Sequence, residues 1–467
     1  MENSEKQGLN IGVRSFVTAI SVIFCLMVAA YLLALTIPGG AYHRIEDASG
    51  NLILDTTAGF TFTDGGIPFW KWILSPVLVL GASGSGTLMA VIAFLLVIGG
   101  IFNALEKCGL MAYILNKTAS KFSAVRYRLM AVVVLFFMGI GAMIGSFEEC
   151  VPLVPLVVAL SVNLGWDRMT GVGMSLLAAG CGFASGVCNP FTVGVAQQLA
   201  GLPMFSGLWL RALGFVLIYG LLLVFLRRYA KGIEKPLDSI QATIRFTSNS
   251  AMDKGMSWFV GIMAGGITVV LSSALIPALQ DYTMIIVSVM FLFAGIFAVT
   301  ACGFSGKHLA KSFWEGVSSI FPAVLMILMA SSIKFTLEEA HVLDTILHYA
   351  VELAQTLPGW TVILFIYATI LAMNFFIPSG SAKAFMLIPL IVPMAQIFGI
   401  SAQLCVVAFA FGDGFSNVFY PTNPTLLIAL GLADVSYGDW FRWSCKFQII
   451  NLILTSFILL FGLAVGY

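Results

Sequence analysis

The dipeptide Asn-Pro stands twice in apolar sequence, at Asn189-Pro190 and Asn423-Pro424, 234 residues apart. The same separation relates Leu153 to Leu387, Pro155 to Pro389, Leu156 to Leu390, Val158 to Val392, Gly165 to Gly399 and Gly180 to Gly414 without a gap. That is an internal duplication. Each copy also carries a polar run upstream, Gly145-Ser146-Phe147-Glu148-Glu149 in the first and Ser379-Gly380-Ser381-Ala382-Lys383 in the second. Such residues in the middle of apolar sequence have no solvent to satisfy them unless they line a site.

The surrounding composition decides what kind of site. Of 467 residues, 60% are hydrophobic and 10% charged, too apolar for a water-soluble protein and consistent with a polytopic membrane chain. A net charge of +1 leaves no basic face for nucleic acid, and no Gly-rich loop joins a strand to a helix. The stretch Gly81 to Gly86 has a phosphate loop's composition but no Lys, and reads as a flexible entry to a helix. Eight Cys without a CxxC pair read as packing residues, neither a disulfide framework nor a metal site. The polar segment Met1 to Arg14 is followed by an apolar run with no small-residue cleavage site, so a first transmembrane helix is expected, not a signal peptide.

Lys and Arg orient the rest. Ser15 to Ile37 forms the first helix, Gly39 to Thr63 an exposed loop, and Thr87 to Leu105 a helix returning to cations at Lys107, Lys117, Lys121, Arg126 and Arg128. The amphipathic segment Glu106 to Phe122 lies along the interface. The apolar arms Leu129–Met143 and Val151–Leu164 are short for a span of about 20 residues, so a re-entrant hairpin with its tip at 145–149 is expected. A helix from Met169 to Leu199 then breaks at Gly186 to Pro190, where Pro190 removes a donor and frees carbonyls. Leu208 to Leu226 returns to Arg227, Arg228, Lys231 and Lys235. Ser257–Pro277, Tyr282–Cys302 and Val317–Phe335 follow as crossings, with Lys307, His308 and Lys311 turning between the last two. The interfacial segment Leu337 to Leu357 carries Glu338, Glu339, Asp344 and Glu352 and no Lys or Arg, the reverse of its counterpart, which argues for opposite sidedness. A second hairpin, Trp360 to Gly399 with its tip at Pro378 to Lys383, precedes a broken helix, Ser401 to Leu432, interrupted at Tyr420 to Pro424. Asp434 to Arg442 turns, and Trp443 to Val465 is the last helix. The expected fold is all-α and polytopic, with two inverted repeats, each a hairpin and a broken helix. In chain order it divides into helices and the first arm at 1–128, the first hairpin and broken helix at 129–207, helices with the second arm at 208–358, the second hairpin and broken helix at 359–436 and a last helix at 437–467. The N-terminus is expected in the cytoplasm and the C-terminus outside.

Broken helices expose free N–H groups and carbonyls at mid-membrane, which suit an anion and a small cation. Ser146, Asn189, Ser379, Ser381, Thr422 and Asn423 add neutral oxygens for Na⁺ or a substrate carboxylate, the alternative being close packing alone. Glu149 corresponds to Lys383 across the repeat. Either the two form a structural ion pair, or Glu148 and Glu149 take a substrate cation and Lys383 its carboxylate; one of the acids is also a candidate proton site. Asp413 is a cation ligand or a cap on freed N–H groups, and Lys334 with Glu338 has helix-pair spacing. The expected substrate site is thus Ser146, Glu148, Glu149, Asn189, Pro190, Ser379, Gly380, Ser381, Lys383, Thr422 and Asn423. Candidate ion ligands are Gly145, Ser146, Asn189, Asp413, Asn417 and Asn423. Beyond Na⁺ or H⁺ no cofactor or metal is expected. His43, His308, His341 and His348 lie in loops or arms, leaving no nucleophile and base for an enzyme.

The runs Gly-Ser-Phe-Glu-Glu-Cys-Val-Pro at 145–152, Asn-Pro-Phe-Thr-Val-Gly at 189–194, Phe-Phe-Ile-Pro-Ser-Gly-Ser at 375–381 and Phe-Gly-Asp-Gly-Phe-Ser-Asn at 411–417 resemble the YfcC-like branch of the anaerobic C4-dicarboxylate carrier family. The likeness covers nearly the whole chain. It implies the ion-transporter fold and a dimeric, elevator-type carrier of the bacterial inner membrane, working on C4-dicarboxylates or on arginine exchanged for ornithine. Two departures fall at the site: Pro421-Thr422-Asn423-Pro424 in place of a Pro-Thr-Ser-Gly run, and Cys150 where Thr is common. The two tip acids favour a cationic amino acid as substrate, with a C4-dicarboxylate or other organic anion coupled to Na⁺ or H⁺ as the alternative.

Overall fold

The computed structural model describes residues 13–46, 52–54, 59–82, 85–144, 148–203, 205–235, 248–273, 283–354 and 356–467. Among them, seven helices are long and apolar enough to cross a membrane. The apolar run at the N-terminus forms α1 (Val13–Thr36), ended by Pro38 and two glycines. The segment expected to be a loop is instead two antiparallel ribbons, β1 (Gly40–Tyr42) with β4 (Phe60–Phe62) and β2 (Arg44–Glu46) with β3 (Leu52–Leu54), the one departure from an all-α fold among the described residues. Short runs of aromatic and β-branched residues separated by Gly, Asn and Thr account for them. The open edge of β1 is satisfied by the second interfacial arm: Gly40 N donates to His341 O at 2.9 Å and Tyr42 N to Asp344 Oδ2 at 3.1 Å.

The first half continues through α2 (Ser85–Lys107), the arm α3 (Leu110–Phe122), α4 (Arg126–Ile144) and α5 (Val154–Asn163), which follows a 3₁₀ turn over Glu148–Leu153. The first broken helix comprises α6 (Arg168–Val172), a π-turn over Gly173–Leu177, α7 (Ala178–Ser185), a second π-turn over Pro190–Gly194, and α8 (Val195–Leu199). After α9 (Leu208–Ile233) come α10 (Ser250–Ser273), α11 (Thr283–Ala301) and α12 (Gly306–Glu339). The turn expected around Lys307 to Lys311 is helical: α12 is one helix of 34 residues running through Pro322. The second half repeats the plan with the arm α13 (Val342–Ala354), hairpin arms α14 (Gly359–Phe376) and α15 (Gly380–Ile397), broken-helix halves α16 (Ala402–Asn417) and α17 (Pro424–Leu432), and α18 (Tyr437–Ala464). The arm α4 has 19 residues, longer than the apolar run Leu129–Met143, because residues from Arg126 onward join the helix, and α14 and α15 have 18 each.

The duplication is visible as matching devices. Gly165 and Gly399 both take left-handed backbone, with φ of 84° and 74°, to end the second hairpin arm, a conformation that favours glycine. Two residues on, Asp167 and Ser401 cap their broken helices, accepting from Thr170 N and Leu404 N. The two broken helices then cross each other reciprocally. A Cβ at Gly180 would strike the Val418 side chain, and one at Gly414 would strike the Ala184 backbone. The 234-residue shift exchanges these two contacts.

Helices α1, α2, α10, α11 and α12 pack with one another, while α4 packs on α7, α14 on α16, and α7 on α16. Helices α9 and α18 pack on α7 and on α16 and α14, and on each other. The reason is local: each follows its broken helix through a short turn, and small residues such as Gly214 beside Phe411 and Gly462 beside Leu404 let them lie against α16.

Candidate functional site

The second break is built by capping. Asn423 Oδ1 accepts from Thr425 N at 2.9 Å, and Pro424, which has no N–H to leave unmet, opens α17. Asn423 Nδ2 donates to Asn417 Oδ1 at 3.2 Å, at the end of α16. The same oxygen accepts from Asn374 Nδ2 at 3.0 Å, and Asn374 also donates to Ser416 Oγ at 2.7 Å and to Asp413 O at 3.2 Å. Asn374, in the last turns of α14, therefore ties the hairpin to the broken helix.

Lys383 completes this network. The hairpin turn is Ile377 to Ser379, so Lys383 lies one turn inside α15 and not at the tip. Its ammonium is wholly buried and contacts Asp413 Oδ1 at 2.6 Å, Ile377 O at 3.2 Å, and Asn374 Oδ1. Two expectations are corrected here: the partner of Lys383 is Asp413, neither Glu149 nor an open cavity, and Asp413 spends its charge on that ammonium and does not stand free as a cation ligand. Lys334 and Glu338 do form their helix pair, at 3.2 Å.

The first break uses the same construction. Gly186, at φ 53°, ends α7, Cys188 N donates to Ala142 O at 3.0 Å, and Asn189 Oδ1 accepts from Thr192 N at 3.1 Å. The side-chain oxygens of Asn189, Asn417 and Asn423 are thus engaged in capping and bridging. Against this break sits the second hairpin. A Cβ on Gly380 would overlap Thr192 Cγ2 and come within 2.6 Å of Asp413 Oδ2, so the glycine permits hairpin, first break and second broken helix to meet. Two buried hydroxyls near the breaks, Thr192 Oγ1 and Thr422 Oγ1, have no hydrogen-bond partner among the described residues. Ser379 is exposed and Ser381 half-buried, and neither joins the network. Gly145 and Ser146 lie outside the described residues. Glu148 and Glu149 open the 3₁₀ turn, which packs near α17, and Pro190 opens the π-turn.

Three residues escaped sequence reasoning. Asn374 and Ser416 are single polar residues in apolar helices, and their only signal is placement nine before and thirty-three after Lys383. Arg211 stands one turn into α9, where it read as part of an ordinary crossing. It is fully buried, and its three guanidinium nitrogens have no hydrogen-bond partner among the described residues. Cys188 of the first break and Tyr467 are its electrostatic neighbours.

Residues 16–464 match the family described as "DcuC: C4-dicarboxylate anaerobic carrier". The chain belongs to that family. It is a multi-pass membrane transporter of the C4-dicarboxylate anaerobic carrier kind. Among curated proteins it is 29% identical to the "Putative basic amino acid antiporter YfcC" of Escherichia coli over 82% of this chain and 80% of that one. It is 25% identical to an uncharacterized protein of Haemophilus influenzae, over 92% and 93% of the two chains. Two solved transporters share 16% identity with it: YdaH of Alcanivorax borkumensis, with a TM-score of 0.44 over 97% of this chain and 99% of that one, and MtrF of Neisseria gonorrhoeae, with 0.45 over 96% and 94%.

Proposed function

We propose that this carrier exchanges small carboxylate-bearing metabolites by alternating access, with basic amino acids exchanged in the manner of arginine for ornithine. The hairpins and broken helices, with α9 and α18 packed on them, form the moving unit of an inverted-repeat, elevator-type carrier, working as a homodimer in the bacterial inner membrane. The observation that carries the substrate choice is the Lys383–Asp413 pair. It withdraws from the site the cation that a dicarboxylate would need, since a buried ammonium already matched by a carboxylate attracts a second anion weakly. The acids Glu148 and Glu149 at the first hairpin leave that end negative, which favours a substrate cation, and free N–H groups of the half-helices take its carboxylate. The name of the Escherichia coli relative points the same way.

One observation favours a second reading, a C4-dicarboxylate coupled to Na⁺ or H⁺: the Arg211 guanidinium, without a hydrogen-bond partner among the described residues, suits a carboxylate. Counterflow in proteoliposomes with labelled arginine, ornithine, succinate and fumarate separates the two. Arginine–ornithine exchange without succinate uptake is expected; succinate uptake with no arginine exchange would overturn the basic amino acid reading. Glu149→Gln is expected to lose exchange while still folding, and full activity in that variant would return Glu149 to a structural role.

A further inference from the structure

The surroundings of Lys383 Nζ have the form of a cation site. Three oxygens surround the ammonium: a carboxylate oxygen of Asp413 in an ion pair, and an amide oxygen of Asn374 and the carbonyl of Ile377, which accept its hydrogen bonds. Oxygens of these three kinds are what hard metal cations take as ligands. Asn374 and Ile377 belong to the end of the first hairpin arm, where helix carbonyls lack intrahelical partners, and Asp413 belongs to the broken helix. The charge they hold arrives from the second arm, on α15. Both Lys383 and Asp413 are wholly buried, so without the ammonium the carboxylate would be an uncompensated charge in a dry region. Gly380 lies against Asp413 Oδ2, which gives the carboxylate room that any side chain there would fill.

We propose that Lys383 is a tethered cation: its ammonium fills a monovalent-cation site formed by Asp413, Asn374 and Ile377, so this half of the carrier closes without taking up a metal ion. The inference rests on the chain being a carrier and not on which solute it carries. Removing the ammonium then leaves an empty oxygen site fit for Na⁺, Li⁺ or a small alkylammonium. An ion pair that serves only to hold the helices together leaves no such site behind.

The test is the melting of the purified full-length protein in detergent, in chloride salts of Na⁺, Li⁺, choline and propylammonium, the last restoring the atoms that Lys383→Ala removes. Wild type is expected to melt at the same temperature in Na⁺ and choline. Lys383→Ala is expected to melt lower in choline and to recover, saturably, by about 2 °C or more in Na⁺ or propylammonium. A Lys383→Ala protein indifferent to every cation, or a wild type that shows the same rise, would overturn the proposal. If Lys383→Ala does not accumulate, Lys383→Ala with Asp413→Asn removes the stranded carboxylate. This double variant is expected to fold and to ignore Na⁺; one that responds to Na⁺ places the site elsewhere and refutes the assignment. Failure of both variants to accumulate makes the pair a structural one and also refutes it. Because the readout is cation binding to the protein itself, it can fail while the substrate reading stands, and the reverse.

Discussion

The two copies of the repeat share their backbone devices and differ in where they put charge. Gly165/Gly399, Asp167/Ser401, Gly180/Gly414 and Asn189/Asn423 perform the same tasks at the same spacing. In the second copy Lys383, Asp413 and Asn374 form a closed polar network. Shifted by 234 residues, those three positions are Glu149, Ala179 and Ile140 in the first copy. The acid therefore has neither a counter-charge nor an amide at the equivalent places, and Ala179 and Ile140 are buried core. The second copy settles its charge internally; the first has neither partner residue at the equivalent places. The asymmetry follows from three side chains on a shared frame.

The largest effect should come from breaking the closed network of the second copy. Asp413→Ala leaves the Lys383 ammonium buried without its carboxylate, and a loss of about 3–5 kcal/mol is expected, read as a lowered midpoint in thermal or denaturant unfolding. The reciprocal change, Ala179→Asp, puts a carboxylate where the first copy has no ammonium and should destabilise by several kcal/mol, about as much. If Ala179→Asp were tolerated as well as Ala179→Ser, the first copy would hold a cation at that place after all, and the contrast between the halves would fail.

Much of this frame was legible in the chain. The 234-residue spacing and the Asn-Pro pairs located both breaks, because proline removes a donor and asparagine caps wherever they fall, regardless of context. The second hairpin was legible as an interruption in apolar sequence. The partner of Lys383 was not: Asp413 is thirty residues away on another helix, and the repeat pointed to Glu149, since an alignment reports equivalence and not contact. Asn374 was hidden by its apolar neighbours, and the ribbons at 40–62 by strands of three residues each, too short to show alternation. Packing of α9 and α18 on the broken helices depends on small residues meeting bulky ones across the fold, which chain order does not encode.

The reciprocal crossing of the broken helices gives intermediate effects that differ between the copies. At Gly414 an added methyl meets the backbone of Ala184, which cannot turn aside, whereas at Gly180 it meets only the side chain of Val418. Gly414→Ala should therefore cost more than Gly180→Ala, within about 1–3 kcal/mol, and Val418→Ala should rescue the second but not the first. Below these come the caps. Asn189→Ala and Asn423→Ala each remove one cap, worth about 1 kcal/mol, and Asn423→Ala should lose more because its amide also bridges to Asn417. Equal losses would mean that the bridge contributes nothing and that the copies are alike at their breaks.

The interfacial arms carry the same contrast to the surface, with the smallest effect. Arm α13 is fastened by its acid Asp344 to the ribbon backbone, while α3 is fastened by Lys117 and Tyr113 to Asp253 at the start of α10. Hydrogen bonds from Lys117, Tyr113 and Ser248 hold the Asp253 carboxyl down at about 2, below its usual 3.8. A carboxylate with a depressed folded value adds stability that is fully present above 3.8 and is lost as pH falls through about 2. Amide exchange along α3 should therefore be flat from neutral pH down to the region of 3.8 after correction for intrinsic rates, and rise only below it. The pair is partly exposed, so Asp253→Asn should change the melting temperature little and remove the acid-side rise in exchange. A rise that persists in Asp253→Asn would mean that α3 is held by its apolar face alone, and the two arms would then differ in charge without differing in how they are anchored.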